Sequence, residues 1–271
     1  MTRMFIYVFN NNDTSVISDL NAVALYYEFR DITPIGHVGD LIIQQLAFRM
    51  VKLDLLDRAA SLLTHQVRYR LKDKERGDFG TKLAIIHLIN KKPQQTIDVL
   101  DATEENITPE NRPARLYIRA KALILLKKND KAMALLRNDH SPEANQIRLN
   151  LDWATSKWAD IISILEPVFV IPAPDAPLTA MQANDLLYLA VSYVMHGDQS
   201  SLTKLYDAYK DKLPKDSAIT QPLRFLATDK GPVNYKSLDT TLGVNDSKIF
   251  IDKYRELIEK DEKNYTPNAI K

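Results

Sequence analysis

Asp57-Arg-Ala-Ala-Ser-Leu-Leu63, Gln94-Gln-Thr-Ile-Asp-Val-Leu100 and Asp130-Lys-Ala-Met-Ala-Leu-Leu136 can be laid over one another residue by residue. Ala159-Asp-Ile-Ile-Ser-Ile-Leu165 continues the pattern, and Ser200-Ser-Leu-Thr-Lys-Leu-Tyr206 is a weaker fifth copy. Their last residues step by 37, 36, 29 and 41 positions. A period of this size, with variable loops, fits stacked helix pairs that cannot bury their apolar faces singly and share a core with their neighbours, with a compact helical bundle as the alternative.

The stretches between these copies supply the partner helices. Apolar residues recur at three- and four-residue steps, as in Ile43, Leu46, Ala47, Met50 and Val51, and again in Leu56, Ala59, Ala60, Leu63 and Val67. Helices are predicted from about Asp73 to Asn90 and from Pro93 to Ala102, where proline suits the first turn. Asp40 is predicted to cap the first pair, and Thr108-Pro109-Glu110 and Ser141-Pro142-Glu143 to open the third and fourth. Thr179 with Gln182 reads as a capping box for the fifth.

Outside this array the pattern is thinner. A short helix over 15–30 carries Val16, Leu20, Val23, Ala24 and Tyr27 on one face. Pro167, Pro172, Pro174 and Pro177 form a stiff connector before the fifth pair. Helices are expected over 217–227 and 246–260, the last an amphipathic cap. The predicted organisation is an N-terminal segment, 1–39, a repeat region, 40–213, and C-terminal helices with a cap, 214–271.

Composition agrees with an all-α class. Only seven glycines occur among 271 residues, too few for hairpin-rich sheets or phosphate-cradling loops. The 36 Lys+Arg are balanced by 35 Asp+Glu, so the basic excess of a duplex-binding domain is missing and nucleic acid is not the expected partner. No cysteine is present, which removes disulfides, zinc-thiolate sites and thiol nucleophiles. The opening MTRMFIYVFN is too short in its apolar run for a secretory signal, and no run of ~18 apolar residues reads as a membrane span.

The segment from Ala120 to Leu136 resembles a tetratricopeptide motif, with Ala122 and Ala132 where that family places small residues at the helix–helix contact. The family's turn glycine is replaced near Asp54, Asn90 and Lys127-Lys128, and only Gly197 follows the pattern. The resemblance implies a right-handed alpha-alpha superhelix of about five helix pairs with a C-terminal capping helix. Tyr26 to Gly36, Leu53 to Ala60 and Asp139 to Ala144 are similar to the C-terminal part of large alphaproteobacterial tetratricopeptide proteins. That similarity implies a periplasmic or envelope setting, with the cytoplasm as the alternative. The exported N-terminal region of those proteins is not in this sequence, so a fragment, a shortened relative or a different start is expected.

Candidate chemistry is sparse. His37, His65, His87, His140 and His196 show no metal-ligand spacing, and neither a metal nor a cofactor is expected. His87, among Ile86, Leu88 and Ile89, reads as a partly buried helix residue. Gly77-Asp78-Phe79-Gly80 lacks the Lys-Ser/Thr of a phosphate loop and reads as a loose helix start. Trp153 and Trp158 read as core residues locking the fourth pair. The basic run Arg68, Arg70, Lys72, Lys74 and Arg76 is diluted by Asp73 and Glu75 and reads as a solvated helix end. Arg112, Arg115 and Arg119 share one face of a first helix, and Arg148 extends the row. They suit an acidic segment in a groove, or a solvated surface paired with Glu104, Glu105 or Glu110. The expected function is non-enzymatic: a scaffold binding a protein or peptide on a concave helical surface. The alternative is a module orienting neighbouring domains of a larger envelope protein, with an unrecognised enzyme third.

Overall fold

The computed structural model describes residues 17–33, 36–171, 173, 175–213 and 219–228. Among them every regular element is helical and no strand occurs. Helix α1 (Asp19–Phe29) runs into a 3-10 turn and is followed by five hairpins. These are α2 (His37–Lys52) with α3 (Leu56–His65), α4 (Asp73–Ile89) with α5 (Pro93–Ala102), and α6 (Arg112–Leu125) with α7 (Asn129–Leu136). Next come α8 (Pro142–Ala154) with α9 (Trp158–Leu165), and α10 (Ala180–His196) with α11 (Gln199–Tyr209). Helix α12 (Thr220–Thr228) is the last described element, and the expected helix over 246–260 lies outside the described residues.

The five hairpins share one turn. Between its two helices each has a single residue at positive φ: Asp54 (59°), Lys91 (55°), Lys127 (60°), Ser156 (57°) and Gly197 (83°). The following N–H closes back on the carbonyl five residues earlier: Leu55 to Met50, Lys92 to His87, Lys128 to Leu123, Lys157 to Asp152 and Asp198 to Tyr193, at 2.8–2.9 Å. This is the Schellman closure, which satisfies helix-end carbonyls that would otherwise lack donors. The side chains at the turn differ while the backbone repeats.

The repeat also governs burial. Five residues beyond each turn residue stand Ala59, Thr96, Ala132, Ile161 and Leu202, all with no exposed surface. Nine residues beyond stand Leu63, Leu100, Leu136 and Leu165, buried, and Tyr206, half-buried. Truncating any of these four leucines to alanine would cost roughly 2–5 kcal/mol.

The described residues divide into two compact units, 17–137 and 138–228. In the first, each helix packs on its chain neighbours from α1 to α7, and α4 also touches α6. Its core runs through Ile42, Leu46, Met50, Leu63, Leu83, Ile86, Leu100 and Ile118. In the second, α8 to α12 pack in chain order and α10 also meets α12. There Trp153 stands edge-on to Trp158 and Tyr188, with ring centroids 5.4 and 4.8 Å apart.

Helix starts follow the sequence in part. The Ser141 hydroxyl accepts the Ala144 N–H, and Thr179 with Gln182 forms the reciprocal capping box. Thr108 makes no capping bond; the chain first winds a 3-10 turn, Pro109–Asn111, and α6 begins at Arg112. Asp40 is not a cap either, because α2 starts at His37 behind Gly36 and Asp40 sits inside the first turn. Helix α1 is rotated from its expected face. Ala22 and Val23 are buried, whereas Leu20 is 63% and Tyr27 43% exposed.

Gly77 and Gly80 lie in the interior of α4 rather than at its start. A Cβ on Gly77 would overlap the Asn106 carbonyl, and one on Gly80 would stand 2.5 Å from the Thr103 hydroxyl. Their missing side chains let α4 press against the 103–106 turn. Between them Phe79 stacks on Phe48 of α2, centroids 6.3 Å apart, with the Lys82 ammonium over both rings.

Candidate functional site

The arginine row does not stand open as one face. Arg115 is only 4% exposed. Its guanidinium donates to the Thr81 hydroxyl at 3.0 Å, the Leu100 carbonyl at 2.5 Å and the Thr103 hydroxyl at 3.1 Å. Glu104 stands 3.4 Å away. Arg115 therefore ties α4, α5 and α6 together from inside and does not offer its fork to a groove ligand. Arg119, partly exposed, forms an ion pair with Asp101 at 2.6 Å and reaches Glu104 at 3.7 Å. Arg148 is 9% exposed and donates to Asn145 on its own helix. Arg112 is exposed. The spacing put Arg112, Arg115 and Arg119 on one side of α6, and Arg115 and Arg119 turn toward the end of α5.

A concave site lies elsewhere in the first unit. A cleft of about 230 Å³ is lined by Thr64 of α3, Val67 and Arg68 just after it, Leu83 and His87 of α4, and Val99 and Ala102 of α5. One turn of π-helix, Gln66–Arg70, ends α3 and places Val67 and Arg68 on this lining. The turn is held by Leu71 N–H to Gln66 carbonyl, 2.9 Å, and by Arg70, which grips the Asp40 carboxylate through Nε (3.0 Å) and Nη2 (3.3 Å). Arg76 braces the same wall. It donates to the carbonyls of Val67 (3.2 Å) and Ala102 (2.8 Å) and to Asn106 Oδ1 (3.0 Å).

His87 is a lining residue with little exposed surface, and its Nδ1 is sealed off without a hydrogen-bond partner. Burial, helped by the nearby Lys92 cation, pushes its pKa down to about 4. The imidazole is therefore neutral at neutral pH and contributes a dipole but no charge. Lys92 itself is engaged by Asp57, whose carboxylate also accepts from Asn90 at 2.9 Å. These bonds hold the Asp57 carboxyl below its ordinary pKa.

In the second unit Asp152 is the unusual group. It is 1% exposed, and neither carboxylate oxygen has a hydrogen-bond partner. Burial, with Asp160 adding repulsion, raises its pKa to about 6. Trp153 beside it is 7% exposed and packed among aromatic rings, a core role rather than a stacking platform.

Sequence spacing could not reveal the cleft, because its lining comes from three helices and the turn after α3, and mixes core side chains such as Val67 and Leu83 with polar ones. Arg76 was visible in the basic run, but its bonds span to residues 26–30 positions away. Among the described residues no group of three or more His, Asp or Glu is placed to hold a metal ion, and no helix is long and apolar enough to cross a membrane. No family model matches this chain, and no curated protein or solved structure matches it either.

Proposed function

We propose that the chain is a non-enzymatic interaction scaffold, built from tetratricopeptide-like hairpins, that holds a peptide or protein segment against its first helices. The recurrence of one turn and one buried register in five hairpins supports this reading. Stacked repeats present equivalent positions of successive helices side by side, which is how such arrays form extended binding surfaces. Near-neutral charge favours protein over nucleic acid as the partner. Arg112, exposed on α6, is the arginine that would meet an acidic residue of that segment.

A second reading is a structural module that orients neighbouring domains of a larger envelope protein. Leu20 and Tyr27 favour it, since they leave apolar surface uncovered on α1. One experiment separates the two. A photo-crosslinking residue is placed at Arg112, at Leu20 and, for reference, at Asp130 on α7, and the purified chain is exposed to cell extract. A defined polypeptide captured at Arg112 supports the scaffold, and capture at Leu20 alone supports the orienting module. Labelling no greater than at Asp130 in both positions removes both.

A further inference from the structure

The cleft of the first unit combines a patch of apolar side chains with an excess of positive charge. Val67, Leu83, Val99 and Ala102 supply the apolar surface. Two guanidiniums, Arg68 and Arg76, share the lining with one carboxylate, Asp98. Each hydrogen bond of Arg76 ends on a neutral oxygen, so no carboxylate compensates its charge there. Arg68 is exposed and forms no ion pair with the described residues. Asp98 accepts a bond from Gln94 at 2.8 Å. An occupant must cover carbon and bring a single negative charge. A doubly charged phosphate group would overshoot that excess and leave the apolar lining wet. The space, about 230 Å³, exceeds the ~150 Å³ of a cavity that admits benzene. It accommodates a six-membered ring with a short polar tail.

We propose that this cleft is a binding site for a small monocarboxylic acid with an apolar body, of the arylalkanoate class. The carboxylate meets Arg68 and Arg76, and the ring lies against Val67, Leu83 and Val99. Arg112, which marks the segment-binding surface proposed above, is not part of this lining. A ligand here braces α3, α4 and α5 against one another.

The probe is 3-phenylpropionate, titrated into the full chain by calorimetry and by NMR of the His87 ring protons. The acid is expected to shift the His87 resonances saturably. Its neutral amide should bind at least ~10-fold more weakly, because the charge-assisted bonds are lost. Arg68→Ala should weaken the acid by about tenfold without lowering thermal stability, since that side chain is exposed. Ala102→Trp, or Gln95→Trp should the first not fold, fills the mouth from an exposed position and should abolish binding. Three results overturn the proposal: no His87 shift at saturating probe, equal affinity for acid and amide, or undiminished binding in the filled variant. Arg112 lies outside the cleft lining, so failure here leaves the segment-capture test to be decided by its own labelling.

Discussion

Replacing Lys127 by glycine should make the protein more stable, although glycine normally weakens helical structure. Lys127 sits at φ 60° in the α6–α7 turn, where a β-carbon crowds the following carbonyl. Left-handed backbone costs a non-glycine residue roughly 1–2 kcal/mol. Glycine relieves this but gives the unfolded chain more freedom, worth ~0.4–1 kcal/mol in the other direction. The lysine side chain is exposed and makes no hydrogen bond or ion pair with the described residues. The net expectation is a gain of about 0.5–1 kcal/mol. Lys91→Gly and Ser156→Gly should behave alike, at φ 55° and 57°, and the gains should add within roughly 0.5 kcal/mol, as they do for independent sites. Urea titration followed by far-UV circular dichroism reads the midpoint, and each gain should also raise the melting temperature by about 2–4 °C per kcal/mol. Gly197→Ala is the reverse experiment. Nothing lies within 4 Å of its added Cβ, so any loss there reports backbone strain alone. A loss in Lys127→Gly of the ~1 kcal/mol that glycine costs inside a helix would mean that the turn is not left-handed.

Other perturbations test other parts of the same account. Gly77→Ala should cost more than ~2 kcal/mol in the same titration, because the obstructing atom is the Asn106 backbone rather than a movable side chain; a neutral result would mean that α4 does not press on that turn. Arg115→Ala should lower stability by about 3 kcal/mol, since it strips buried donors from Thr81, Leu100 and Thr103, whereas Arg112→Ala should leave the melting temperature unchanged. Asp152 binds its proton more tightly in the folded state, pKa about 6 against ~3.9 unfolded, so its contribution is most favourable below the lower value and is lost as pH rises through 6. Asp152→Asn should therefore raise stability at pH 7 by on the order of 2–3 kcal/mol and change it little near pH 4; an identical pH profile in mutant and wild type would contradict the assignment.

Helix boundaries were largely legible in the sequence because local chemistry writes them. Pro93, Ser141-Pro142 and Thr179 with Gln182 each act within one helical turn, and the structure places a helix start at each. What failed depends on distant partners. Gly77 and Gly80 read as a loose helix start, yet they lie inside α4, where the close approach of the 103–106 turn explains them. In α1 the run Ala22-Val-Ala-Leu-Tyr-Tyr27 is apolar all round, so three- and four-residue steps fit more than one face, and packing against α2 selected Ala22 and Val23. The arginine spacing on α6 was legible, but its direction was not: Thr81, Leu100 and Thr103, which draw Arg115 inward, come from other elements. The turns near Asp54, Asn90 and Lys127-Lys128 were legible from the repeat, but lysine and serine gave no local sign that Lys91, Lys127 and Ser156 take the left-handed conformation.

Because the helices of each unit pack chiefly on their immediate chain neighbours, the order of synthesis can double as the order of assembly. A hairpin such as α4–α5 finds the surface of α3 already formed and needs only the next ~35 residues to cover its other side. Its Schellman turn closes with residues five apart, before any distant segment is required. A chain emerging slowly from the ribosome would thus gain order one hairpin at a time, keeping a single unfinished edge exposed rather than a whole uncovered core.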